Sequence, residues 1–191
     1  MIRQFKTALI LLAVFAVVTG IIYPLVVTGI SQLAFHHQAN GSLIKSNDGK
    51  YEGSELIGEP FDAPDYFWSR PSATLPFPYN STASSGSNYG PTNPALLEAV
   101  QNRIKALKEA DPNNTKPIPV DLVTASGSGL DPNISIAAAL YQIPRVARER
   151  GLSESQLTSL VGRFTQGRQF GILGEPRVNV LLLNQALDQM K

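Results

Sequence analysis

Hydroxyls set among glycines are the first residues in this 191-residue chain that could do chemistry. Ser84-Ser85-Gly86-Ser87-Asn88 and Ser126-Gly127-Ser128-Gly129 both place serines in permissive backbone. A serine nucleophile needs a base that is itself held by a third group. Neither stretch has the Gly-x-Ser-x-Gly spacing, and the two histidines, His36 and His37, stand side by side far upstream. Ser42 and Lys45 match Ser-x-x-Lys, but in a polar spacer with no supporting motif. An anchored hydrolase using Ser85 or Ser128 is therefore the weakest reading. The chain has no cysteine, which excludes thiol nucleophiles, Cys-type zinc sites and iron–sulfur clusters. The turn at 126–131 lacks the Gly-Lys-Ser/Thr of a phosphate loop. Carboxylates are scattered without calcium-loop spacing, and adjacent histidines diverge on a helix. No catalytic residue and no metal site is expected. A formal charge of +1 argues against nucleic acid as a partner.

The elements that would carry such residues fall into two unequal parts. Of the charged residues, only Arg3 and Lys6 precede Lys45, and the 29 residues from Thr7 to Phe35 carry no formal charge. As a helix they span roughly 40 Å, more than the roughly 30 Å core of a bilayer. A cleavable leader would have an apolar stretch about half as long, and a buried soluble helix would have a polar face. The segment reads as one retained transmembrane helix. Pro24 near its middle predicts a kink. Ala16, Gly20, Pro24 and Thr28 recur every four residues, and small side chains at that spacing let another helix approach in lipid. They are the expected docking face. Arg3 and Lys6 favour a cytoplasmic N-terminus, which puts the main domain outside the inner membrane.

Residues 45–191 carry 14 basic and 15 acidic side chains, the balance of an ordinary water-soluble domain. The expected order is a stub at 1–6, the membrane helix at 7–35, a polar spacer at 36–52 and a soluble domain at 53–191. Ser54–Gly58 and Tyr66–Trp68 suit brief strands between Gly and Pro, and 71–92 reads as a long loop, ordered or mobile. Asn93-Pro94 starts a helix that Asp111-Pro112 ends. Val120–Thr124 reads as a buried strand. Ser135 caps a helix reaching Arg150, with Pro144 bending it or starting its second half. Ser153 begins a third, through Phe164, and a fourth runs from about Val178 to Met190. The fold class is a single N-terminal transmembrane helix followed by a small, helix-rich α+β extracytoplasmic domain. Physics alone leaves a free-standing, membrane-tethered binding or assembly domain of the envelope, acting through the 71–92 loop.

Longer strings narrow this. Gly53-Ser54-Glu55-Leu56-Ile57-Gly58, Tyr66-Phe67-Trp68-Ser69-Arg70-Pro71-Ser72-Ala73, Ser85-Gly86-Ser87-Asn88, the run from Pro119 through Asp131, Gln142-Ile143-Pro144-Arg145-Val146-Ala147, Gly174-Glu175-Pro176-Arg177-Val178-Asn179-Val180 and Asn184-Gln185-Ala186-Leu187-Asp188 occur in one order. Together with the short stub and single span, they resemble the C subunit of the Kdp potassium-transporting ATPase. One departure is Ile136, where the resemblance leads to an expected proline. The resemblance implies an accessory subunit of an ATP-driven high-affinity potassium pump, an assembly factor and catalytic chaperone that raises the pump subunit's apparent ATP affinity. It implies three partners: a P-type ATPase subunit, a channel-like potassium-binding subunit and a small membrane peptide. Leu152-Ser153-Glu154-Ser155-Gln156 is similar to the Leu-Ser-Gly-Gly-Gln signature of ABC transporters, with both glycines absent. Leu152, Ser153 and Gln156 are thus candidate contacts to ATP shared with the ATPase subunit. Ser153 with Gln156 is equally a capping box.

Overall fold

The computed structural model describes residues 2–46 and 48–190. Met1 of the stub, Asn47 of the spacer and Lys191 lie outside the described residues. Two compact units follow one another, Met1–Leu43 and Ile44–Lys191.

The first unit is one apolar helix of 33 residues, Ile2–Ala34, long enough to cross a bilayer. It comprises α1 (Ile2–Val17), a π turn (Val18–Ile22) and α2 (Tyr23–Ala34). The π turn stands where Pro24 requires it. Proline has no N–H for the Gly20 carbonyl, and the Tyr23 N–H reaches five residues back to Val18 instead. Residues four apart in a regular helix advance slightly beyond one turn. The wider π turn offsets part of that drift across Gly20 and Pro24. A short helix, α3 (His36–Ala39), follows, and the Asn40 amide is bonded to the His36 carbonyl and to Gln32.

The second unit contains a two-stranded sheet of β1 (Leu43–Lys45) and β2 (Tyr51–Ser54) and a three-stranded antiparallel sheet. In the latter, β5 (Arg177–Asn179) lies between β3 (Asn133–Ser135) and β4 (Thr165–Gln166), with Ile134 opposite Val178. Helices α4 (Pro94–Ala110), α5 (Ile136–Arg150), α6 (Glu154–Phe164) and α7 (Val180–Asp188) complete the α+β unit. Each begins on a side-chain cap, from Asn93, Ser135, Ser153 and Asn179, so the start signals in the sequence act as local chemistry requires. Pro144 sits inside an unbroken α5, which Gly151 ends at φ +65°. Apolar faces of α5, α6 and α7 meet over Ile134 and Val178, with Phe67, Ala138, Val146, Leu157, Leu183 and Leu187 at the centre.

Four expected elements differ. Val120–Thr124 is no strand but a 3-10 turn at Val120–Leu122, because the Thr124 amide and hydroxyl both return to the Val120 carbonyl. The last helix starts at Val180 rather than Val178, since residues 177–179 are needed as the central strand. Ser54–Gly58 folds back as a tight turn bridged between Ser54 and Ile57. Among the described residues, Tyr66–Trp68 pairs with no strand, for the reason given next.

Candidate functional site

Phe67 and Trp68 lie in a segment whose backbone partners are side chains. Asn184 Oδ1 accepts from the Phe67 N–H at 3.0 Å while Asn184 Nδ2 donates to the Phe67 carbonyl at 3.0 Å. Gln142 repeats the arrangement one residue on, accepting from Trp68 N–H at 2.7 Å and donating to its carbonyl at 3.2 Å. Two buried carboxamides on α5 and α7 thus satisfy backbone groups that a neighbouring strand would otherwise satisfy. Arg145, 2% exposed, completes the clamp. Its guanidinium donates to Gln142 Oε1 at 2.8 Å and to the Pro64 carbonyl, and stacks on the Trp68 ring at 4.5 Å. Burial lowers its pKa to about 10, so it remains cationic at neutral pH.

The clamped segment delivers Arg70 and the 71–92 loop to the glycine-rich turn. Ser72 Oγ donates to the Gly129 carbonyl at 2.7 Å, Ser126 N–H donates to Pro71 at 3.1 Å and Ser85 N–H to Ser128 at 3.0 Å. Buried Thr74 and Asn80 close the loop on itself, Thr74 Oγ1 accepting from the Asn80 N–H at 3.0 Å. The long loop is ordered, and backbone and hydroxyl groups order it. Tyr79 donates its hydroxyl to the Arg70 carbonyl, and burial pushes the phenol up to about 12, with the Asp131 carboxylate adding to the rise. A phenol in the unfolded chain titrates near 10. The stability this group contributes is therefore complete below pH 10 and lost as pH rises through 12. We expect Tyr79→Phe to flatten that alkaline loss and to remove one late-titrating phenol from the absorbance at 295 nm. Superimposable titration curves for the two proteins would refute the assignment.

Strings far apart in sequence meet around an open cleft of about 570 Å³, lined by Arg70, Asp121, Asp131, Glu175, Arg177 and Val120 among others. Most of its charges are already engaged, Glu175 by Arg168 at 2.7 Å. Arg70 pairs with Asp131 at 3.1 Å. Asp121 accepts from the Ser135 N–H at 2.7 Å and hydroxyl at 3.1 Å, beside the N-terminus of α5, where a negative charge is favoured. Such a recess, with both signs of charge fixed in place, suits recognition of another surface.

The residues singled out from sequence are placed as follows. Ser153 Oγ accepts from the Gln156 N–H at 3.3 Å and bonds Gln156 Oε1 at 2.7 Å, while Gln156 Oε1 accepts from the Ser153 N–H at 2.9 Å. This is a reciprocal capping box at α6, and Leu152 packs against the core beside it. Ala16, Gly20, Pro24 and Thr28 lie exposed along the membrane helix. Ser85 Oγ donates to the Gly86 carbonyl, and Ser128 Oγ accepts from the Leu130 N–H. Sequence reasoning missed Gln142, Asn184 and Arg145. Their signal was available: each is polar within an apolar helical period, Gln142 beside Ile143 and Val146, and Asn184 beside Leu183 and Leu187.

Capping and nucleotide contact order the same two variants oppositely. If Ser153 caps, Ser153→Ala lowers stability by about 1 kcal/mol and Ser153→Asp by little. If the hydroxyl meets phosphate, aspartate is the worse change because it sets like charges together. We expect a lowered thermal midpoint only for Ser153→Ala, with apparent ATP affinity of the complex that the resemblance implies near wild type for Ser153→Asp. A normal midpoint with a large loss of ATP affinity in Ser153→Asp would reverse the order.

Comparison with known proteins agrees over the whole length. Residues 5–189 match the family described as KdpC, K+-transporting ATPase, c chain. The chain is 64% identical over 191 residues to a potassium-transporting ATPase KdpC subunit of Methylococcus capsulatus, covering all of both chains. It is 63% identical over 187 residues to that of Herpetosiphon aurantiacus, covering 98% of this chain and 96% of the relative. A Paraburkholderia xenovorans protein of the same name is 61% identical over 187 residues, with 98% and 97% covered. The membrane-length helix, the clamped segment and the convergent strings all lie within the matched region, and the chain belongs to the KdpC family, the c chain of the K+-transporting ATPase.

Proposed function

We propose that the chain acts by contact rather than by catalysis, as the accessory subunit of an ATP-driven potassium uptake pump. In this reading it assists assembly and raises the apparent ATP affinity of the P-type ATPase subunit. The observation that carries it is the family match from residue 5 to 189, which takes in the membrane-length helix and the soluble unit together. The use of polar groups supports it, since Ser85, Ser128, Asp121 and Asp131 each hold backbone or a neighbouring side chain. The partners are the P-type ATPase subunit, a channel-like potassium-binding subunit and a small membrane peptide. The chain needs no cofactor of its own, and ATP belongs to the ATPase subunit.

Residues 7–35 cross the inner membrane, with the basic stub at 1–6 cytoplasmic and residues 38–191 outside. A domain so placed meets no cytoplasmic ATP, so its effect on ATP affinity is a coupling free energy passed through the membrane subunits. Two measurements test this reading together. The wild-type chain should copurify in mild detergent with larger membrane proteins. A cysteine at exposed Ala83, in a chain with no other, should react with an impermeant maleimide in intact cells, or in spheroplasts where an outer membrane is present. Solitary migration, or labelling only after permeabilisation, would overturn the subunit role or the topology respectively.

The membrane face is tested by Gly20→Leu. A Cβ at Gly20 lies within 4 Å of no side chain and of no backbone beyond its own helical turns, so the variant brings no clash with the rest of this chain at that atom. Loss of association then reports on a neighbouring helix held at close range. We expect Gly20→Leu to reduce copurification severalfold and Ile21→Leu to leave it unchanged. Equal recovery of both variants would remove the docking face.

A further inference from the structure

The π turn in the membrane-length helix leaves one backbone carbonyl over. In a regular helix the Thr19 carbonyl would accept from the Tyr23 N–H, four residues on. Here the Tyr23 N–H goes to the Val18 carbonyl, closing the turn Val18–Ile22. A carbonyl in a π turn accepts instead from the fifth residue on. For Thr19 that residue is Pro24, which has no N–H to give. Gly20 loses its regular donor to the same proline but keeps the Leu25 N–H as its fifth residue on. Thr19 keeps neither. Its own hydroxyl donates to the Phe15 carbonyl at 2.7 Å, and among the described residues no side chain of this chain donates to the Thr19 carbonyl. Gly20, next in the chain, has no side chain to cover it.

Depth decides what can satisfy that carbonyl. At about 1.5 Å per residue, Thr19 lies about 18 Å along the helix from Thr7 and about 23 Å from Ala34. Wherever a hydrocarbon core about 30 Å thick sits between those ends, Thr19 stays about 7 Å or more inside it. Acyl chains offer no donor, and a bare carbonyl at that depth is costly. Lipid therefore does not complete the site. A second copy inserted in parallel would bring equal residues to equal depth. The hydroxyl at this level is that of Thr19, already engaged by Phe15, and Tyr23 stands about 6 Å further along. A charged donor is itself expensive in the core, which leaves a neutral one. We propose that the Thr19 carbonyl is the acceptor for a hydroxyl or carboxamide side chain on a membrane helix of another pump subunit, which enters beside Gly20 and makes an interhelical hydrogen bond there. This rests on the reading of residues 7–35 as a membrane span with Gly20 on its docking face, and it names what that face recognises.

The test uses the full chain in lipid bilayers, alone and assembled with the other pump subunits. Thr-Gly occurs at 19–20 and 28–29 and nowhere else in the chain. With carbonyl-13C threonine and 15N glycine, a nitrogen-filtered solid-state NMR spectrum therefore shows two carbonyls, those of Thr19 and Thr28. Thr28 lies within the regular helix α2 and is the internal reference. In the chain alone the Thr19 signal should stand upfield, as an unbonded carbonyl. On assembly with unlabelled partners it should move downfield while Thr28 stays in place. Pro24→Ala returns an N–H to the helix without enlarging the face. It should give Thr19 the bonded position in the chain alone and lower recovered complex severalfold, because the neighbour's donor loses its acceptor. Tyr23→Phe should leave recovery at the wild-type level. A bonded Thr19 signal in the wild-type chain alone, a Thr19 signal unmoved by assembly, full recovery of Pro24→Ala, or loss of recovery with Tyr23→Phe would each overturn the proposal. Where Gly20→Leu still prevents association, the docking face stands without this acceptor; where Gly20→Leu associates normally, the reading beneath the proposal fails as well.

Discussion

Replacing Asn184 by alanine is expected to lower the stability of the second unit by about 3–5 kcal/mol, the largest effect of any single change considered. Asn184 is 1% exposed and Phe67 is fully buried. Removing the carboxamide leaves the Phe67 N–H and carbonyl without partners, and each buried orphan costs about 1–3 kcal/mol. The vacated volume adds a cavity term. With an m value of about 2 kcal/mol/M, the urea midpoint read from Trp68 fluorescence should fall by about 1.5–2.5 M. Asn184→Asp separates the two bonds. Its carboxylate still accepts from the Phe67 N–H but opposes the Phe67 carbonyl with negative charge. It should be as damaging at neutral pH and recover partly in acid, where the protonated acid can donate. Gln142→Ala acts on the same segment, so the double variant should lose less than the two single losses added together. A midpoint within about 0.2 M of wild type for Asn184→Ala would show that the segment holds its place without the clamp.

Gly129→Ala should cost about 2–4 kcal/mol, while Gly127→Ala, two residues away in the same turn, should change stability by less than about 0.5 kcal/mol. The contrast lies in what a methyl group would meet. At Gly129 a Cβ would lie 2.5 Å from Thr74 Cγ2 and 2.6 Å from the Ser85 carbonyl oxygen, with φ at +69°; at Gly127 it would meet nothing within 4 Å. The Ser85 oxygen is backbone and cannot rotate away, so the loop at 71–92 must separate from the turn. Urea midpoints of the two variants, with limited proteolysis of that loop, decide the matter. Equal midpoints would mean that the loop yields without cost.

Both predictions concern places that composition left open or misread. Residues 71–92 are rich in Ser, Thr, Asn, Gly and Pro, a mixture that describes a mobile linker as well as an ordered loop. Its order comes from hydroxyl and backbone bonds to residues 126–131, and nothing local to either stretch announces the other. Tyr66–Trp68 has the residue types of a strand, yet its partners are Gln142 and Asn184, which lie 74 and 117 residues along the chain from their bonding partners Trp68 and Phe67. Val120–Thr124 is apolar enough for a strand, but the Thr124 hydroxyl gives the Val120 carbonyl a nearer donor and turns the backbone instead.

What the sequence determined by itself is the chemistry that acts within a few residues. The long apolar helix, an irregularity at Pro24 and the starts of α4, α5 and α6 at Asn93, Ser135 and Ser153 depend only on neighbours, because helical bonds and caps join residues three to five apart. Family membership was legible for a related reason, since ordered strings survive as text whatever they touch. Tertiary structure alone decided which strings meet: that Arg70, Asp121, Asp131 and Arg177 line one cleft, that two carboxamides replace a strand, and that Phe170 stands outward rather than in the core. Those outcomes depend on long-range packing, in which an apolar residue is driven toward whichever surface the whole fold leaves available and its own neighbours do not specify that surface.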